Sequence, residues 1–135
     1  CIRHPPSLEF RLFFHYALSV RNLKSPIPGV LGLSRSIGAR DFILGLQPLC
    51  PDSGDCAGPP AVQAGAFMHE LGHNLGLTHG GADSSDRHLN FKPNFLSVMN
   101  YLYLPEGLHR SDLPGILDYS RIGTDVKPGT SGWVG

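Results

Sequence analysis

The sequence predicts a small α+β fold, on three observations. Two runs rich in aromatic and branched side chains read as strands, residues 61–75 carry a helical period, and Gly and Pro punctuate much of the remainder. At 135 residues the chain can bury one core. Its 17 Gly and 12 Pro, about a fifth of the residues, demand many turns.

Taken in order, residues 10–20 are dense in Phe, Leu, Tyr and Val without Gly or Pro and read as one long strand. Residues 22–40 hold two prolines and three glycines and read as loop. Residues 41–46, Asp-Phe-Ile-Leu-Gly-Leu, form a second strand candidate ended by Gln47-Pro48. Pro59 and Pro60 mark a helix start, where a missing N–H costs nothing. Along the helix, Ala64, Phe67, Met68, Leu71 and Leu75 share one face and predict the core-facing side. His69 and His73 lie opposite, and Gly65 and Ala66 leave room beside them. Residues 80–96 and 102–135 read as loop-rich.

The chemistry concentrates in residues 69–79, His-Glu-Leu-Gly-His-Asn-Leu-Gly-Leu-Thr-His. His69 and His73 are four apart, so on a helix their imidazoles leave the same side one turn apart and can share one ion. Gly76 can turn left-handed, end the helix and bring His79 back as a third ligand. Three nitrogen ligands leave one tetrahedral position for water, the pattern of a catalytic rather than a structural zinc. Glu70 is placed to take a proton from that water. A chance match to this eleven-residue pattern in such a chain is on the order of 10⁻⁴, which weighs against a helix that merely exposes histidines.

A second element lies about twenty residues on, Ser97-Val98-Met99-Asn100-Tyr101. With the histidine run it resembles the metzincin metallopeptidases, whose Met-turn lies beneath the zinc. The resemblance implies a metzincin-like catalytic domain with a small mixed sheet over the active-site helix and a loop-rich lower subdomain. It implies that Zn²⁺ is held by His69, His73 and His79, that Glu70 is the general base, and that Met99 is a supporting floor rather than a ligand. Tyr101 would hold the developing oxyanion, and the strand before the helix would form an upper rim pairing with extended substrate. For residues 42–46 that edge role stands beside the plainer one of an internal strand. The sequence departs from the better-known groups after the third histidine, where it has Gly80-Gly81, followed later by Lys92-Pro93-Asn94.

The resemblance further implies a strand, a helix and another strand ahead of the assigned segment and a long closing helix after it. Neither is recognisable, so residues 1–135 are expected to be one partial catalytic domain, with 1–76 as upper and 77–135 as lower subdomain. The expected function is zinc-dependent endopeptidase activity on a peptide or protein substrate. A truncated or non-catalytic zinc-binding module is the alternative, which a damaged base or ligand would favour; none is damaged here.

Formal charge is zero with no basic run, which argues against nucleic acid or an anionic membrane surface as partner. No stretch of eighteen apolar residues is present, so no membrane-spanning segment is expected. Oligomeric state is not legible. Cys50 and Cys56 bracket a five-residue loop that can close as a disulfide or leave two thiols, and the spacing does not decide. A secreted or extracytoplasmic peptidase would favour the bridge. Asp83, Asp86 and Asn90, and Asp52 with Asp55, invite Ca²⁺ but match no loop spacing and read as solvated turns. His4, His15, His88 and His109 lack ligand spacing, and Asp118-Tyr119-Ser120 reads as a structural tie.

Overall fold

The structure is a computed structural model that describes residues 14–23, 29–46, 58–81, 87–104, 107–110 and 113–120. Three strands form a mixed sheet: β1 (Tyr16–Val20), β2 (Gly32–Ser34) and β3 (Asp41–Gly45), in the order β1-β3-β2. β1 runs parallel to β3 with Tyr16 opposite Asp41, and β2 runs antiparallel to β3 with Ser34 opposite Phe42. Helix α1 (Pro60–Asn74) packs on β2 and β3. Beyond it lie turns and a two-stranded antiparallel ribbon, β4 (Leu108–Arg110) and β5 (Leu113–Ile116). The whole is a small mixed α+β arrangement with one helix among the described residues.

Several expectations need correction. The first strand covers only Tyr16–Val20; Phe14 and His15 precede it as irregular chain, and residues 10–13 fall outside the described residues. The segment read as loop contains β2, a strand too short for period-two patterning to reveal. β3 is the central strand, so residues 42–46 are not a sheet edge. The stretch after residue 101, read as loop, contains the β4–β5 ribbon.

β3 alternates as a half-buried strand should. Phe42 and Leu44 point to α1 and join Leu46 and Ala66 in the core, while Asp41 and Ile43 face the other way. Each large side chain so buried contributes roughly 1.5–3 kcal/mol. Leu31 and Leu71 pack against this cluster, and Phe67 meets Phe42 edge-on at a centroid distance of 5.2 Å. On the outer sheet face Leu18 and Leu33 flank Ile43 and stay exposed.

The helix buries a different face from the one its apolar residues predict. Gly65, Ala66, His69, Glu70, Gly72 and Asn74 are buried, whereas Ala64, Phe67 and Leu75 are exposed and Met68 and Leu71 half-buried. The cause is tertiary: β2 and the 97–100 segment approach the polar side, where hydrogen bonds satisfy the groups they cover, while β3 lies over Ala66 and reaches Phe67 and Leu71 at the edge of the apolar side. Gly65 and Ala66 serve packing. A Cβ on Gly65 would strike the Leu104 carbonyl, and Ala66 is a core residue.

α1 begins with Pro60 at its first position after Pro59. It ends in a Schellman motif: Leu77 N–H donates to Gly72 C=O (2.9 Å) and Gly76 N–H to His73 C=O (3.0 Å). Gly76 takes φ of +93°, a conformation that disfavours any residue with a Cβ. The chain thereby reverses and carries His79 back toward the helix.

Among the described residues no helix is long and apolar enough to cross a membrane. The Cys50–Cys56 loop, Cys1, His4, Asp52, Asp55, Asp83 and Asp86 lie outside the described residues, as does the side chain of His109.

Candidate metal centre

His69 and His73 project from successive turns of α1, and the Gly76 turn brings His79 between them. His79 Nε2 lies 3.2 Å from His69 Nε2 and 3.1 Å from His73 Nε2. Each can offer one ring nitrogen, and together they are the group of side chains close enough to hold a metal ion among the described residues. Ligands at 2.0–2.1 Å from a tetrahedral zinc stand about 3.3 Å apart, so the observed spacing suits one small cation.

The donor chemistry fits as well. His69 Nδ1 lies 3.0 Å from Val98 C=O, and His73 Nδ1 lies 2.9 Å from Leu77 C=O. A carbonyl only accepts, so both Nδ1 atoms carry the proton and both Nε2 atoms are left as lone pairs facing inward. Such outer hydrogen bonds fix ring orientation and raise ligand basicity. Burial lowers the pKa of His69 to about 4, with the Val98 bond opposing and the other two imidazoles adding to the effect. It does the same for His79, to about 4, helped by His73 and His88, and it lowers His73. All three rings are therefore neutral, the form a metal requires.

Met99 lies fully buried. Its sulfur sits so close to Gly72 that a Cβ there would overlap it, and the Tyr119 ring would be 3.0 Å away. The 97–100 segment is fixed by Val98 N–H to Asp118 C=O (2.8 Å), and Tyr119 O–H donates to Met68 C=O (2.6 Å). Asp118-Tyr119 thus ties the segment to the helix, chiefly through backbone and phenol; the Asp118 carboxylate also accepts from Tyr119 N–H.

Glu70 is buried against β2. A Cβ on Gly32 would come within 2.5 Å of Glu70 Cγ and 2.7 Å of Oε1. Desolvation raises the carboxyl to about 7, partly offset by a hydrogen bond from the Ser34 backbone. Tyr101 lies across the site, its ring 4.8 Å from that of His79 and 5.2 Å from that of His69. Burial, then the Glu70 charge, raise its pKa, so the phenol keeps its proton. A cleft of about 430 Å³ opens here, lined by Val30, Leu31, Ala66, Glu70, Tyr101 and Leu104 among others.

Some supporting residues escape a reading of the sequence. Asn74, next to His73 and buried, contacts Ser34 Oγ at 2.8 Å. With its nitrogen turned toward the sheet it donates to Ala39 C=O (3.0 Å) and accepts from Asp41 N–H (3.3 Å). It pins the β2–β3 connection to the end of α1. Gly72 and Gly32 supply space rather than chemistry; a glycine inside a helix does hint at close approach. Asn90, considered for Ca²⁺, instead accepts from the backbone N–H groups of Phe91 (3.0 Å) and Tyr101 (2.8 Å). His88 sits at the surface and accepts from Arg87 Nε, and the buried Nδ1 of His15 has no partner among the described residues.

Comparison of the chain with protein-family models, curated proteins and solved structures returns no match. What is defined at this point is a class: a small mixed α+β protein with a three-histidine cluster able to hold a metal ion.

Proposed function

We propose that this chain carries the active site of a zinc-dependent endopeptidase of the metzincin type. The observation that carries the proposal is the convergence of three neutral imidazoles, two of them held by backbone carbonyls, beside a cleft that His69 and the buried Glu70 carboxylate both line. His69, His73 and His79 would hold the ion. Zinc bound there supplies a Lewis acid that polarises a carbonyl and makes water acidic near neutral pH.

Glu70 takes a proton from water at a carboxylate oxygen as that water adds to the scissile carbonyl carbon, then returns it to the departing amine nitrogen as the C–N bond breaks. A carboxyl raised toward neutrality by burial is a stronger base than one in water, and a nearby cation lowers it again. Tyr101 keeps its phenolic proton and donates it as a hydrogen bond to the developing oxyanion. Gly32 lets the base lie against β2, and the buried Ala66 adds an apolar group to the cleft lining.

The substrate class follows from β2. It has one neighbour, β3, among the described residues, and the cleft runs along its approach at Val30 and Leu31. An extended peptide can add as a strand on that edge, gaining main-chain hydrogen bonds that do not depend on its side chains.

The test is a peptide library incubated with the zinc-loaded protein, with and without chelator, alongside two variants. Glu70→Ala is expected to retain zinc and lose nearly all turnover, and His73→Ala to lose both. Cleavage by Glu70→Ala at the parent rate removes the base assignment, and chelator-resistant cleavage removes the metal from the reaction.

A further inference from the structure

Gly80-Gly81 and Lys92 remain outside the chemistry described so far, yet they meet in space. Lys92 Nζ donates to Gly80 C=O at 2.9 Å, and Gly80 N–H donates to Arg87 C=O at 2.9 Å. Gly80 is buried, so both of its backbone polar groups need such partners. The turn is closed by Thr78 Oγ1 donating to Gly81 C=O at 2.6 Å. His79 is therefore carried on a turn whose far side is gripped by an ammonium group.

The grip is itself anchored. Phe95 N–H donates to Lys92 C=O (3.1 Å), and Asn100 Nδ2 donates to the same carbonyl (2.5 Å) and to Phe95 C=O (3.1 Å). Tyr103 O–H donates to Pro93 C=O at 2.7 Å. Asn100 is fully buried and adjoins Met99, and Val98 in the same segment orients His69. One short segment thus reaches two histidines by separate routes: directly to His69 through Val98, and to His79 through Asn100, Lys92 and Gly80.

We infer that Lys92 is a positioning residue for His79, holding the third imidazole at the metal through the Gly80 carbonyl. This rests on the reading of His79 as a ligand. The physical reason is that His69 and His73 are set by a helix, whereas His79 sits on a glycine-flanked turn whose conformational freedom must be removed by something else. A charge-assisted hydrogen bond to a buried carbonyl does that more firmly than a neutral one.

The experiment uses the full chain and measures Zn²⁺ affinity by competition with a chromogenic chelator, the Co²⁺ absorption spectrum, and thermal melting of the metal-free protein. Lys92→Met keeps the stem and removes the donor. It is expected to weaken Zn²⁺ binding by about 10–100-fold, the range for loss of a group that orients a ligand. Its Co²⁺ spectrum should move toward that of His79→Ala, while the metal-free protein still melts cooperatively, lowered only as far as one unpaired buried carbonyl lowers it. Lys92→Arg, which restores a cationic donor, should recover most of the affinity. Parental affinity in Lys92→Met overturns the inference. So does a loss of affinity accompanied by loss of cooperative metal-free melting, because that makes Lys92 a folding residue. Lys92→Arg as weak as Lys92→Met also overturns it. No peptide enters these measurements, so a protein whose zinc affinity depends on Lys92 yet which cleaves nothing would sink the peptidase reading and leave this one standing.

Discussion

Gly72 and Met99 are in contact, with the thioether filling the space a Cβ at residue 72 would take. Because Gly72 is one residue before His73, anything that lifts the helix off Met99 also moves an imidazole. The contact makes a helix-interior glycine, ordinarily unfavourable by about 0.5–1 kcal/mol, a requirement of the site.

Gly72→Ala is accordingly expected to destabilise the protein by about 1–3 kcal/mol despite the better helix propensity of alanine. Shortening the partner should relieve the overlap, so the cost of Gly72→Ala measured in a Met99→Ala background should be smaller than in the parent. Denaturant melts of the four proteins give the coupling. Additive costs would show that the two side chains do not compete for the same space.

Gly32→Ala tests the other close approach. The new methyl group would meet Glu70 Cγ and Oε1, so the carboxylate must swing away from β2. If Glu70 is the base as proposed, the expected result is a fall in kcat of about 100-fold, the lower end of what an acid–base group contributes, with zinc stoichiometry intact. Metal loss in this variant would show that β2 supports the histidines and not the carboxylate alone.

The pH dependence of the metal-free protein follows from opposed shifts. His69 and His79 fall from 6.5 to about 4 and His73 is also lowered, so the unfolded chain takes up protons that the native state refuses. Their stability is present above pH 6.5 and lost as pH falls toward about 4. Glu70 rises from 4.5 to about 7, so its contribution is present below 4.5 and lost as pH rises through about 7. Three groups oppose one, and chelator-treated protein should lose denaturant resistance between pH 6.5 and 4. A midpoint that rises on acidification over that window would mean the imidazoles are charged in the native state.

The histidine run announced its geometry because the spacing is local. An i, i+4 pair on a helix and a glycine three residues on need nothing remote to bring their side chains together. The same locality made the helix and much of β3 legible. β2 was not, since three residues carry no period and the strand exists only by pairing with β3.

The face that α1 buries could not be read either. Its apolar residues mark one side, yet His69, Glu70 and Asn74 are covered because Val98, Gly32, Ser34 and Ala39 arrive from elsewhere in the chain with space and partners for them. Local order thus set which imidazoles can meet and how far apart they stand. Long-range packing decided what surrounds them, because the free energy of burying a polar group depends on the partner it meets, and that partner is chosen only when the chain has folded.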